Sequence, residues 1–301
     1  MLELQGQAFG TMRQTFGGDT LNTAVYLARC GAARGVRASY VTALGDDVLS
    51  DGLVRRWQDE GVGTQWVQRL AGRLPGLYLI EVDDRGERRF SYWRDRSAAR
   101  SMFDAPTTPF EQALDTLDAL YLSGISLAIL PPAGRERLFG AMQRLRQRGG
   151  QVAFDSNFRP RLWPDRTEAQ AAYRRAYAQC DLAFVSLDDH LALFGASGAQ
   201  AGAADALALP PPELVLKRGA APTQLRTAGS PVLEVATEAV RVVDTTAAGD
   251  AFAAGYLSRR WSGRSALEAA RFGNRLAARV IQHPGALIPA DAMRDLMDAS
   301  P

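Results

Sequence analysis

The sequence predicts an α/β fold: a mostly parallel central sheet, helices on both of its faces, and a small β lid. Three observations carry this. From residue 39 onward short apolar runs alternate with longer stretches of helical periodicity, the pattern of successive βαβ units. Segment 76–94 interrupts that pattern with two strand-like runs around a turn. The chain has 301 residues, 47% of them hydrophobic, which suits a single large α/β domain over 1–301.

Each element follows from its own residues. "SYVTALG" (39–45) reads as a strand, and "DVLSDGLVRRWQDEG" (47–61) as a helix stopped by glycine. "GLYLIEVDDRGERRFSYWR" (76–94) alternates polar and apolar residues on either side of 84–86, a hairpin with its turn glycine. "ALYLSG" (119–124) is a strand. Residues 131–150 form an amphipathic helix, with proline at its start and glycine at its end. "QVAFDSN" (151–157), "LAFVS" (182–186) and "ELVLKRG" (213–219) are buried strands, separated by helices near 168–179 and 187–194. "LALPPPE" (207–213) is a rigid connection into the last of them. A weaker strand pair surrounds 223–235. Strands alternating with helices imply parallel pairing with both faces covered.

Composition narrows the function classes. A formal charge of +2 gives no field that argues for nucleic acid. No long apolar run or charged-then-apolar leader is found, so no membrane partner is expected. Cys30 and Cys180 are too few for a disulfide framework and read as buried free thiols, which fits a cytoplasmic setting. His190 and His283 lack any metal-ligand spacing, and no metal site built by the protein is expected. Lys217 is the only lysine, every other strong cation being arginine.

The stretch "VVDTTAAGDAFAAGYLSRR" (242–260) raises a chemical question. Thr245 to Gly249 are all small, one carboxylate follows at Asp250, and a helix begins. Asp250 could simply cap that helix. Alternatively, small residues before a helix leave backbone N–H groups open to an anion. Asp250 would then be a general base beside an oxyanion hole. Neither G-x-x-x-x-G-K-[ST] nor G-x-G-x-x-G occurs, so a nucleotide would be bound in some other way.

"DTTAAGDAFAAGYL" (244–257) resembles the signature of the ribokinase-like, PfkB-type carbohydrate kinases, with Ala247 where that signature usually has glycine. "FGGDTLNTAVYLAR" (16–29) resembles their N-terminal signature. The likeness continues in order through "YVTALGDD", "RLPGLYLIE", "GERRFSYWR", "YLSGISLAIL", "FDSNFRPRLW", "LKRG" and "VIQHPGALIP". It is strongest to members that act on keto-deoxy sugar acids, and it implies a three-layer sandwich whose lid strands lie near 1–16 and 76–94. The implied reaction is ATP-dependent phosphorylation of 2-keto-3-deoxygluconate to its 6-phosphate, with Mg²⁺ carried by the nucleotide and a monovalent cation as a further cofactor. The partners are the sugar acid, ATP and a second copy met through the lid strands.

The resemblance implies residue roles as well. Asp250 matches the catalytic base, and Ala247, Ala248 and Gly249 the anion hole. Gly18, Asn22, Tyr78, Tyr92 and Arg94 match sugar contacts. Asn157 and Arg159 match positions between sugar and phosphates. Lys217, Arg218 and Gly219 match the strand end bordering ATP, and Asn274 a residue near the adenine. Plainer alternatives stand beside these: a turn at Gly17-Gly18, an exposed Asn22, a cross-strand pair of Tyr78 with Tyr92, and a solvated charge run at Arg94. Arg159 and Lys217 follow strand ends, where ligands collect in open α/β sheets. Family members begin with an apolar strand ending in glycine and an acidic residue, whereas "MLELQGQAFG" resembles the family's segment just beyond that strand. A core strand is therefore expected to be missing, leaving the 301-residue chain poorly soluble or weakly active. Two rival functions are a neutral-sugar kinase of the fructokinase or ribokinase kind, and a catalytically dead sugar-binding protein.

Overall fold

The structure, a computed structural model, describes residues 1–7, 9–82 and 88–298. The chain opens with the antiparallel strands β1 (Leu2–Gly6) and β2 (Met12–Phe16). Helix α1 (Asp19–Gly31) follows, with Leu21, Val25 and Tyr26 fully buried. Next come β3 (Thr42–Leu44), α2 (Val48–Asp59) and β4 (Val67–Arg69). Asp47 caps α2 by accepting from the backbone N–H groups of Leu49 and Ser50. The hairpin strands β5 (Leu77–Val82) and β6 (Arg88–Trp93) are present, and the turn expected at 84–86 lies outside the described residues.

After α3 (Pro109–Ala113) the alternation begins: β7 (Ala119–Ser123), α4 (Gly124–Ile129), α5 (Pro132–Gln147), β8 (Gln151–Asp155), α6 (Arg166–Ala178) and β9 (Leu182–Ser186). It continues through α7 (Leu187–Phe194), α8 (Ala199–Leu207), β10 (Glu213–Arg218), β11 (Ala221–Thr227) and β12 (Leu233–Val235). Helices α9 (Ala248–Arg260), α10 (Ala266–Val280) and α11 (Arg294–Asp298) close the chain. The short α4 is not expected from the sequence. It forms because the Ser123 hydroxyl accepts from the Ser126 backbone N–H while the Ser126 side chain answers in return.

The six-stranded sheet has the order β12-β11-β10-β9-β8-β7, with β7 to β10 parallel and β11 and β12 antiparallel. Its strands send alternate residues to opposite faces. From β9, Leu182 and Phe184 enter one core, shared with α1, α9 and α10, while Ala183 and Val185 enter the other, shared with α5 and α6. This is the three-layer sandwich that the sequence predicts. The lid is a separate four-stranded sheet, order β2-β1-β5-β6. The strands β3 and β4 pair in parallel as a sheet of their own. Among the described residues β7 and β3 each have a strand partner on one side only, and both line one central cavity.

Candidate active site

Ligands of open α/β sheets collect at the C-terminal ends of the strands. Here the ends of β7, β8, β9 and β10 meet the starts of α1 and α9 and the lid around a cavity of about 1540 Å³. The turn before α9 is built by Asp244. Its carboxylate accepts from the Thr246 backbone N–H at 2.9 Å, from the Thr246 hydroxyl at 2.7 Å and from the Gly285 N–H at 2.6 Å. That anchor turns the chain through Ala247, which holds the left-handed conformation with φ 61°.

Asp250 is the third residue of α9, not its cap. Ala247 occupies the cap position and brings no side-chain hydrogen bond, so the plain capping alternative fails. The Asp250 carboxylate instead accepts from Asn22 Nδ2 at 2.8 Å. Burial pushes its pKa up to about 7, helped by the negative charges of Asp19 and Asp155 and opposed by the Asn22 hydrogen bond and Lys217. A carboxylate poised near neutrality suits proton abstraction. Asn22 is buried, contrary to the exposed alternative, and its Oδ1 is a buried acceptor without a hydrogen-bond partner. Such an atom is costly unless a ligand donates to it.

The anion side is equally specific. A Cβ on Gly249 would lie 3.3 Å from Lys217 Nζ, so the lone ammonium stands against the small-residue turn. Lys217 donates to both oxygens of the buried Asp155, at 2.8 and 3.1 Å. Burial raises the pKa of Asp155, and Lys217 counters that rise. Ala247, Ala248, Gly249, Asn157, Arg159, Arg218 and Gly219 all line the same cavity. Asn157, at φ 29°, donates to Asp19 at 2.9 Å. Arg159 is half-exposed, bonds the Phe158 carbonyl at 2.9 Å and lies 3.9 Å from Asp189. The Arg218 guanidinium is tied to Glu234 at 2.9 Å and to the Pro222 carbonyl at 2.8 Å. The polar atoms of Asn274 serve Thr223, Val235 and Ala236, tying α10 to the end of β12.

On the lid, Tyr78 and Tyr92 are register partners with ring centroids 6.1 Å apart, so the cross-strand pair is real, and both also line the cavity. Tyr78 donates its hydroxyl proton to the buried Glu3, leaving only lone pairs for a ligand. Its oxygen would sit within bonding range of a Cβ on Gly17, at 2.4 Å, which explains the first glycine of the pair. Gly18 precedes α1 at φ 140°. Arg94 stacks over the Tyr92 ring at 4.2 Å on the cavity wall, a held position and not a loose charge run.

Sequence reasoning missed Asp19, Glu3, Tyr121 and Asp155. Asp155 carried a signal, a carboxylate ending an otherwise apolar strand. Asp19 reads locally as an ordinary helix start, and the Glu3–Tyr78 pairing links residues 75 positions apart.

Three comparisons bear on this geometry. A family model described as pfkB family carbohydrate kinase matches residues 3–293. The chain is 46% identical to 2-dehydro-3-deoxygluconokinase of Dickeya dadantii (strain 3937), over 97% of this chain and 96% of that one. It is 43% identical to the protein of the same name from Escherichia coli (strain K12), again over 97% and 96%. Among solved structures it is similar to aminoimidazole riboside kinase from Salmonella enterica, complexed with aminoimidazole riboside and an ATP analog. That likeness has a TM-score of 0.81 at 25% identity, covering 99% of this chain and 97% of that one. No helix among the described residues is long and apolar enough to cross a membrane.

Proposed function

Because the chain belongs to the pfkB family of carbohydrate kinases, we propose that it phosphorylates 2-keto-3-deoxygluconate at its terminal hydroxyl, with ATP as donor. The observation that carries the reading is Asp250, a carboxylate with its pKa near 7 on a turn of small residues that faces the single lysine. Asp250 accepts the hydroxyl proton as that oxygen attacks the γ-phosphorus. The bond from phosphorus to the β-phosphate oxygen breaks, ADP leaves with the electron pair, and the proton passes from Asp250 to solvent. Lys217 and the backbone N–H of Gly249 balance negative charge on the transferred group, while the Ala248 N–H is held by the Thr245 carbonyl at 3.2 Å. Asn22 Oδ1 accepts from a sugar hydroxyl, and Arg94 grips the carboxylate through paired N–H bonds.

Mg²⁺ bound with the nucleotide would supply charge neutralisation at the phosphates. A hard cation of this kind keeps mostly phosphate and water oxygens, and Asp189, on the cavity wall beside Arg159, would add a carboxylate. Phe90 and Tyr92 turn one face of β6 toward the cavity, while Trp93 points the other way and is 60% exposed. An exposed aromatic on the outer lid face supports a homo-oligomer joined through the lid.

The test is ADP release over 2-keto-3-deoxygluconate, fructose and ribose, with wild type and Arg94→Ala. The expected result is preferred use of the sugar acid, with KM for it raised roughly tenfold to a hundredfold in the variant, the worth of a charge-assisted bond. KM for ATP should change little. Equal or better use of a neutral sugar would turn the reading to a neutral-sugar kinase. No turnover of any sugar would turn it to a binding protein.

A further inference from the structure

Asn22 holds Asp250. Thr23 Oγ1 reaches the Tyr121 hydroxyl at 3.3 Å and the Asp250 carbonyl at 3.4 Å. Asp19, one turn before Asn22, accepts from Ser123 Oγ at the end of β7 and from Asn157 Nδ2 after β8. The carboxylate therefore joins three elements: the helix that carries Asn22, the strand end that starts α4, and the left-handed turn at Asn157 on the cavity wall.

We infer that Asp19 is a positioning residue for the transfer: its carboxylate fixes the Asn157 turn and the end of β7 against α1, and places a negative charge one helical turn from the Asn22 that holds Asp250. This deepens the proposed kinase reading and rests on it for its bearing on turnover. A negative charge at Asp19 makes a second one at Asp250 unfavourable, so Asp250 keeps its proton to higher pH. The groups facing Asp250 are Asp19, Asn22 and Tyr26 from α1, Tyr78 from β5, Tyr121 from β7, Asp155 from β8 and Lys217 from β10. Of the carboxylates, Asp155 already has a cation bonded to both of its oxygens. Asp19 is bonded by an uncharged hydroxyl and an uncharged amide, with the Met1 ammonium as the cation near it, so its charge is felt at Asp250 more than that of Asp155.

The test uses the whole chain and does not depend on the substrate. The ¹³C carboxyl resonance of Asp250, assigned by its loss in Asp250→Asn, is titrated in wild type, Asp19→Asn and Asp19→Glu. Asp19→Asn should lower the midpoint by roughly half a unit to one unit, the size of one neighbouring like charge. Asp19→Glu, which restores the charge, should bring it back toward wild type. The acid limb of kcat should move in the same direction on whichever sugar the wild type phosphorylates, and kcat at the optimum should fall about tenfold as the Asn157 turn loosens. Ser123→Ala keeps the charge and removes one anchor, so it should lower kcat with the midpoint in place. A midpoint unchanged in folded Asp19→Asn overturns the inference, whatever happens to kcat. A substrate panel that disproves the sugar acid leaves the titration standing.

Discussion

At the scale of single residues, the site depends on how a few side chains are charged and strained. Asp250 must be ionised to accept a proton, and burial beside Asp19 and Asp155 raises its pKa to about 7. Turnover should therefore rise with pH through about 7 and fall below it, because the protonated acid cannot act as base. Asp250→Asn should keep the fold and lower kcat by about 10²–10⁴-fold, the usual value of general-base help. A folded variant that turns over normally would rule out this role. Ala247 makes a second prediction. An L-residue in the left-handed region costs roughly 1–2 kcal/mol, and Ala247 sits there at φ 61°. Ala247→Gly should raise the denaturant midpoint, reflecting a gain in stability of up to about 1 kcal/mol after the entropy that glycine adds to the unfolded chain. Asp250 is legible in the sequence because small residues, a carboxylate and a helix start stand together. The partners that tune it are not, since Asp19 and Asp155 lie 231 and 95 positions away in the chain and meet it only through the fold.

At the scale of elements, the strand–helix alternation is legible because the period changes from 2 to 3.6 at each boundary. The α7 segment is legible to its limits, 187–194. The bounds of β3 are not: its outer residues 39–41 are extended but contribute only an isolated bridge from Ser39 to Gly63. Which helices touch is also hidden, and here it positions the base. Helix α9, which carries Asp250, packs on α10 where a Cβ on Gly255 would meet the Gly273 Cα at 3.1 Å. Both helices have only a hydrogen atom to spare at that crossing. A Cβ on Gly273 would in turn meet the Phe252 carbonyl and ring at 3.0 Å. Gly273→Val should therefore push the helices apart and cost about 1–3 kcal/mol, the usual range for overpacking. It should also lower kcat, because Asp250 lies two residues before Phe252 on the same helix. A variant with wild-type melting temperature and turnover would show that the helices separate without moving the base.

At the scale of the whole molecule, the lid, the six-stranded sheet and the β3–β4 pair are three sheets around one cavity. The lid is legible as a break in the alternation, but the separation of β3 and β4 from the main sheet is not, since nothing local distinguishes a three-residue strand's partner. An edge strand leaves every other backbone N–H without a partner on its open side. Strand β9 is paired on both sides, by β8 and β10, whereas β7 is paired, among the described residues, by β8 alone. Amide hydrogen exchange should therefore divide β7 into alternating slow and fast positions while Leu182–Ser186 of β9 stays slow throughout. The consequence reaches the chemistry. Ser123, at the end of β7, donates to Asp19, and Tyr121, in its middle, reaches both Thr23 and Asp155. An edge that opens would loosen the carboxylates around Asp250 together. Binding a non-hydrolysable ATP analogue with the sugar acid should thus slow exchange in β7 more than in β9, since ligands that order the cavity hold these side chains in place. Uniform slow exchange along β7 in the free monomer would mean that its open edge is already covered, and would remove the coupling between that edge and the site.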